Sequence, residues 1–175
     1  MGIAPRHPIA PSPYLTRPAE RLVLEGYRYW IHGTVLRSTV PWTHAQRLYR
    51  GLLGNADGEK AILALANFTR TLGQCAICPP NVCRAGSMHL CHDEALVMGL
   101  IAGFQNGDAR TVNACMDALC RSSLFDRLGL AAGGLALTLK QMGQVLLPVP
   151  AGLAGPASTS PATRIMSAHK TGTVH

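Results

Sequence analysis

Residues 93–108 read DEALVMGLIAGFQNGD. Asp93-Glu94 opens a helix, because acidic side chains suit the positive end of the helix dipole. From Ala95 to Phe104 no position offers a polar face, so this helix is expected to be the central buried one. Asn106-Gly107 stops it. Asp108 caps the next helix, whose Val112, Cys115, Met116, Leu119 and Cys120 share one apolar face.

The pattern continues outward in both directions. Pro18 sits where a proline can open a helix, and Val23, Leu24, Tyr27, Trp30 and Ile31 recur at helical spacing until Gly33. Pro41 starts a second helix, with Ala45, Leu48, Tyr49, Leu52 and Leu53 on one face and Gly54 at its end. Asp57 is the expected cap of a third, which carries Ile62, Leu65, Phe68 and Leu72 and stops at Gly73. Downstream, Ser122 or Ser123 begins a last segment from Leu124 to about Val145. Its Gly129, Gly133 and Gly134 point to close backbone packing at the cost of helicity. No stretch shows sustained period-two alternation, so the fold class is all-α: about six helices around one core, with a Cys-rich loop between the third and fourth. Residues 18–147 form the helical domain. Residues 1–17, with four prolines, read as a flexible arm, and the Pro/Gly/Ser/Thr-rich residues 148–175 as a disordered tail.

Of the 175 residues, 47% are hydrophobic and 14% charged, which excludes a disordered chain. The longest uncharged apolar stretch, Leu128 to Leu139, is too short to span a bilayer, which takes roughly 20 residues. The opening MGIAPRHPIAPSP is broken by prolines and has no signal-peptide core, so a soluble, cytoplasmic protein is expected. The formal charge of +7 is uneven: residues 1–56 carry +5, residues 57–126 carry −2 and residues 127–175 carry +4. Most cations are arginines, whose planar fork suits phosphate and carboxylate. Arg37, Arg47 and Arg50 lie off the apolar stripes and are the expected contacts if the N-terminal third binds nucleic acid. Tyr29 and Trp42 are the aromatics expected at the surface.

Residues 73–92, GQCAICPPNVCRAGSMHLCH, break the helical pattern with two prolines, two glycines and four cysteines. Cys75, Cys78, Cys83, Cys91, His89 and His92 place six soft or imidazole donors within 18 positions. A short loop can fold thiolates inward onto one ion, and the two-residue gap between Cys75 and Cys78 is a standard bite for tetrahedral zinc. Zinc is the expected metal. An iron–sulfur cluster is the alternative, since four cysteines suffice and Pro79 follows Cys78. A loop with no bound metal also remains open. Disulfides are disfavoured without a signal peptide. Thiol–disulfide chemistry at Cys75 and Cys78 lacks the preceding strand and the helix start at the first cysteine. His92-x-Glu94 precedes no Pro-Cys-x2-Cys, unlike a zinc deaminase, so Glu94 reads as a helix-start charge. Cys115 and Cys120 fall on an apolar stripe and read as core.

From Tyr27-Arg28-Tyr29-Trp30 through this loop to CHDEALVMGLIAGFQNGD, the chain is similar to small uncharacterised bacterial Cys-rich helical proteins. In them, too, an aromatic helix precedes a Cys-rich loop and an Asp-Glu helix start. The resemblance implies no activity and carries over no functional residue.

The function this sequence favours is that of a small metal-binding regulatory or adaptor protein, with a protein partner or a second copy of the chain as possible company. The alternatives are a helical nucleic-acid-binding transcriptional regulator and an iron–sulfur or thiol redox protein. No nucleophile, base and orienting group can be read together, which argues against an enzyme.

Overall fold

The computed structural model describes residues 13–150. These carry seven α-helices: α1 Pro13–Thr16, α2 Pro18–Leu36, α3 Thr39–Leu53, α4 Asn55–Cys75, α5 His92–Asn106, α6 Ala109–Leu119 and α7 Phe125–Gln141. Among the described residues there is no strand, only an isolated bridge between Ala76 and Cys120. The all-α reading holds. The six long helices pack in the series α2, α3, α4, α7, α5, α6, each in extensive contact with the next. Helix α5 lies between α6 and α7, and Val97, Met98, Leu100 and Ile101 are at most 1% exposed. From Ala95 to Gln105 only Leu96 and Phe104 are partly open to water, so the helix needs no polar face.

Several helix ends differ from those expected. Helix α2 runs through Gly33 to Leu36, because Gly33 serves close packing: a Cβ there would sit 2.4 Å from Trp42 Nε1. Helix α3 opens earlier, at Thr39, with the Ser38 hydroxyl accepting from Val40 N–H. Helix α4 also starts early, at Asn55 after Gly54, so Asp57 lies inside the first turn rather than at the cap. It passes over Gly73 to end at Cys75. Asp108 does cap α6, accepting from Thr111 N–H at 3.0 Å.

Residues 13–17, expected in the arm, hold one helical turn that buries Tyr14 and Leu15. Residues 1–12 lie outside the described residues. At the other end, Leu146 is buried and its N–H donates to Gln105 Oε1, while Leu147 N–H donates to the buried Glu20. This latch ties the chain after α7 to α5 and α2. Residues 151–175 of the expected tail lie outside the described residues.

Candidate metal centre

The loop between α4 and α5 has few apolar side chains, and charge holds it. Arg28, midway along α2, is fully buried. All five N–H donors of its guanidinium are engaged. Nε donates to Glu94 Oε1 at 2.7 Å and Nη2 to Glu94 Oε2 at 3.0 Å, a bidentate pair. Nη1 donates to Glu25 Oε1 at 2.9 Å and to the Ser87 carbonyl at 2.8 Å. The second Nη2 hydrogen meets the carbonyl of His89. From below the loop, one side chain therefore grips two helices and two loop carbonyls.

Glu94 completes the clamp. Oε1 accepts from Cys83 N–H at 2.9 Å, and Oε2 from Cys91 N–H at 3.0 Å. Cys91 is the N-cap of α5 and Glu94 stands three residues on, so the second contact is the carboxylate half of a capping box. Glu25 Oε2 takes Gly86 N–H at 2.8 Å, and Asp93 Oδ2 takes both the backbone and side-chain N–H of Asn81. Burial pushes the Glu94 carboxyl up, but the Arg28 hydrogen bonds and charge, with the two amides, outweigh it and hold the group below its ordinary range. Burial likewise acts to lower Arg28, and its pairing with Glu94 and Glu25 reverses the effect. Both stay charged at neutral pH.

The two cysteines whose backbones Glu94 holds are those whose thiols meet. Cys83 and Cys91 are half-buried, and their sulfurs lie within 4.8 Å of each other. Cys91 Sγ donates to the Asn81 carbonyl at 3.2 Å. The neighbouring Cys91 thiol lowers Cys83 against the opposing effects of burial and Glu94, with Arg28 adding to the fall. Cys91 moves the other way, pushed up by the neighbouring Cys83, by burial and by the Glu94 charge. The ligand atoms of Cys83, Cys91 and Glu94 lie within 4.8 Å of one another, so this group could hold a metal ion.

The remaining donors expected in this cluster lie elsewhere. Cys75 is fully buried at the end of α4, beside Cys120, whose thiol donates to the Arg121 carbonyl at 3.3 Å. A short antiparallel seam fixes that contact: Ile77 N–H donates to the Leu119 carbonyl and Arg121 N–H to the Cys75 carbonyl, both at 3.1 Å. Cys78 is exposed. His89 and His92 flank Cys91 and are exposed as well. Cys115 and Cys120 are buried, as their stripe requires.

Arg37, Arg47 and Arg50 are exposed, Arg37 as the left-handed C-cap of α2 (φ 49°) and the others on α3. Tyr29 and Trp42 are not free surface aromatics. Trp42 stacks on Trp30 with ring centres 5.7 Å apart and donates to its carbonyl, and Tyr29 meets His44 edge-on, because the α2–α3 contact is built from these rings.

Arg28 and Glu25 are the residues that motif reading overlooks, and Glu94 is more than a helix-start charge. A signal was present: Arg28 falls on the Leu24, Ile31 stripe of α2, where an unpaired cation has no place. No protein-family model, curated protein or solved structure matches this chain.

Proposed function

We propose that this is a metal-binding protein of the regulatory or adaptor kind, and that its ion is zinc held by the Cys83 and Cys91 thiolates. The observation that carries the reading is the convergence of Cys83, Cys91 and Glu94 on a loop whose backbone is already fixed by Arg28. Two thiolates with an oxygen or imidazole donor suit zinc better than magnesium or calcium, which take oxygen ligands. Both Glu94 oxygens already accept two hydrogen bonds each, so the carboxylate acts first as the anchor of both ligand backbones. As a direct ligand it must give up one of those bonds. His89 or His92 is the nearest source of a further donor in sequence. A position left to solvent is where a partner's side chain can join, which is how such a site serves an adaptor. Reduced thiols of this kind belong in a reducing, cytoplasmic setting.

Ligation requires thiolates, so binding releases protons and weakens as pH falls. The test is elemental analysis of protein purified under reducing conditions, followed by cobalt substitution. A single equivalent of zinc, a thiolate-to-cobalt absorption band, and loss of both in Cys83→Ser/Cys91→Ser are expected. Less than about a tenth of an equivalent of any transition metal, or metal retained in the double variant, overturns the reading. Iron with acid-labile sulfide replaces zinc by a cluster.

A further inference from the structure

Away from the thiol corner, an open groove of about 790 Å³ runs between α2, α4 and the first residues of the loop. That volume falls in the range of small-molecule sites, roughly 300–1,000 Å³. Its α4 wall is a helical stripe. Leu63, Asn67, Arg70 and Gln74 succeed one another at spacings of three and four, so they stand on one face over about 16 Å. Facing it are Trp30 and Val35 of α2, and Ile77 closes the loop side. Leu63 is 65% exposed, Val35 54% and Ile77 52%, a concentration of large apolar side chains that a solvated surface does not favour.

The groove is also polarised. Arg70 lies two helical turns beyond Leu63, with Nη2 donating to Asn67 Oδ1 at 3.0 Å, and Arg121, whose backbone N–H donates to the Cys75 carbonyl, lines the groove toward the C-terminal end of α4. Among the described residues, no Asp or Glu lines the groove. An apolar trough with two guanidinium groups at one end, and no carboxylate to neutralise them, is complementary to a molecule with an apolar body and one anionic head. Arginine binds carboxylates bidentately. We propose that this groove is a binding site for an amphipathic carboxylate, an acyl chain lying along Leu63, Val35 and Ile77 with its carboxylate at Arg70 and Arg121.

The site contains its own reporters. Trp30 is in the wall, and the exposed Cys78 is on the rim. The full chain is titrated with laurate while tryptophan emission is followed, and Cys78 alkylation is measured by mass spectrometry at each point. Saturable emission change with parallel protection of Cys78 is expected. Arg70→Gln/Arg121→Gln should bind laurate about tenfold more weakly, as loss of a charge-assisted pair implies. Leu63→Asp should abolish binding, and its exposed position leaves the fold intact. Lauryl alcohol should bind no better than laurate binds the double arginine variant, and acetate should not register. Cys83→Ser/Cys91→Ser should bind laurate normally, which separates this site from the metal reading. The assignment fails if there is no saturable response, or if alcohol and laurate bind alike to the wild type. It also fails if the protein is a dimer that Leu63→Asp splits without any laurate binding, since the groove is then an interface between copies.

Discussion

Two pairs of cysteines stand at opposite ends of one loop, and they are chemically unlike. Cys75 and Cys120 are closed into the core, joined by a backbone seam and surrounded by apolar side chains. Cys83 and Cys91 are half-exposed, held through their backbone amides by a carboxylate that a buried arginine keeps charged. One pair is part of the packing, and the other is presented by it. The difference teaches that the spacing of cysteines along a loop does not decide which thiols meet. The elements that anchor the loop decide it. Helix α4 continues past Gly73 and carries Cys75 inward, while the N-cap of α5 turns Cys91 toward Cys83.

The contrast breaks most completely at Arg28. Arg28→Met leaves Glu94 buried without its cation and frees the carbonyls of Ser87 and His89. Removing one partner of a buried pair costs about 3–5 kcal/mol, a large share of a domain's stability. Urea denaturation measures it, and a loss below about 1 kcal/mol would show that the clamp is ornamental. The pH dependence should invert as well. In the wild type Glu94 is held below its ordinary range, so its contribution is complete above the unfolded carboxyl's range and is lost as pH falls through the lower folded value. Without Arg28, burial dominates and raises the carboxyl. Protonation then favours the folded state, and the variant should gain stability as pH falls through that raised value toward the unfolded carboxyl's range.

How much of this was legible follows from the same residues. Ala95 to Phe104 declares itself, because a run with no polar face can only be interior, and α5 is. The Cys-rich loop is visible as a break in periodicity, with Cys83 and Cys91 inside it. The partition of the cysteines is not, since Cys75 needs the true end of α4. That end was hidden by a glycine that does not stop the helix: nothing lies within 4 Å of where a Cβ on Gly73 would be. Gly33 misleads for the opposite reason, being required by Trp42 across the helix contact. The Arg28–Glu94 pair spans 66 residues of sequence, and a long-range ion pair leaves no local pattern. Only the oddity of an arginine on an apolar stripe hinted at it.

A smaller effect sharpens the comparison at the buried pair. Cys75→Ser puts a hydroxyl, a stronger hydrogen-bonding group than a thiol, into an apolar site, at a cost of about 1–3 kcal/mol if it finds no good partner. Metal content should not change. Cys83→Ser should do the reverse, removing metal while shifting the stability of the metal-free protein by less than about 1 kcal/mol, because the site is half-exposed. Denaturation of both variants in the presence of chelator, with metal analysis of each beforehand, checks the pair of outcomes. Metal lost from Cys75→Ser with its fold intact would show that the two thiol pairs are coupled.

The smallest effect is one of rate, with no change in stability. Alkylation proceeds through the thiolate, so it reads both access and acidity. Burial, and then the neighbouring Cys75, push the Cys120 thiol up to about 11. At about pH 8, only about a thousandth of Cys120 is thiolate even when a reagent can reach it. Cys83 is displaced the other way, chiefly by the neighbouring Cys91 thiol, and it is partly open to solvent. In the metal-free native protein, iodoacetamide should therefore modify Cys78 and Cys83 first. Cys91 should follow, because its thiol is the one pushed up, and Cys75, Cys115 and Cys120 should react only as the core opens. Peptide mass spectrometry over a time course gives the order directly. Zinc should protect Cys83 and leave Cys78 reactive, since Cys78 stands outside the converged group. Labelling of Cys120 at the rate of Cys83 would mean that the α4–α6 seam opens freely, and the division into a packed pair and a presented pair would fall with it.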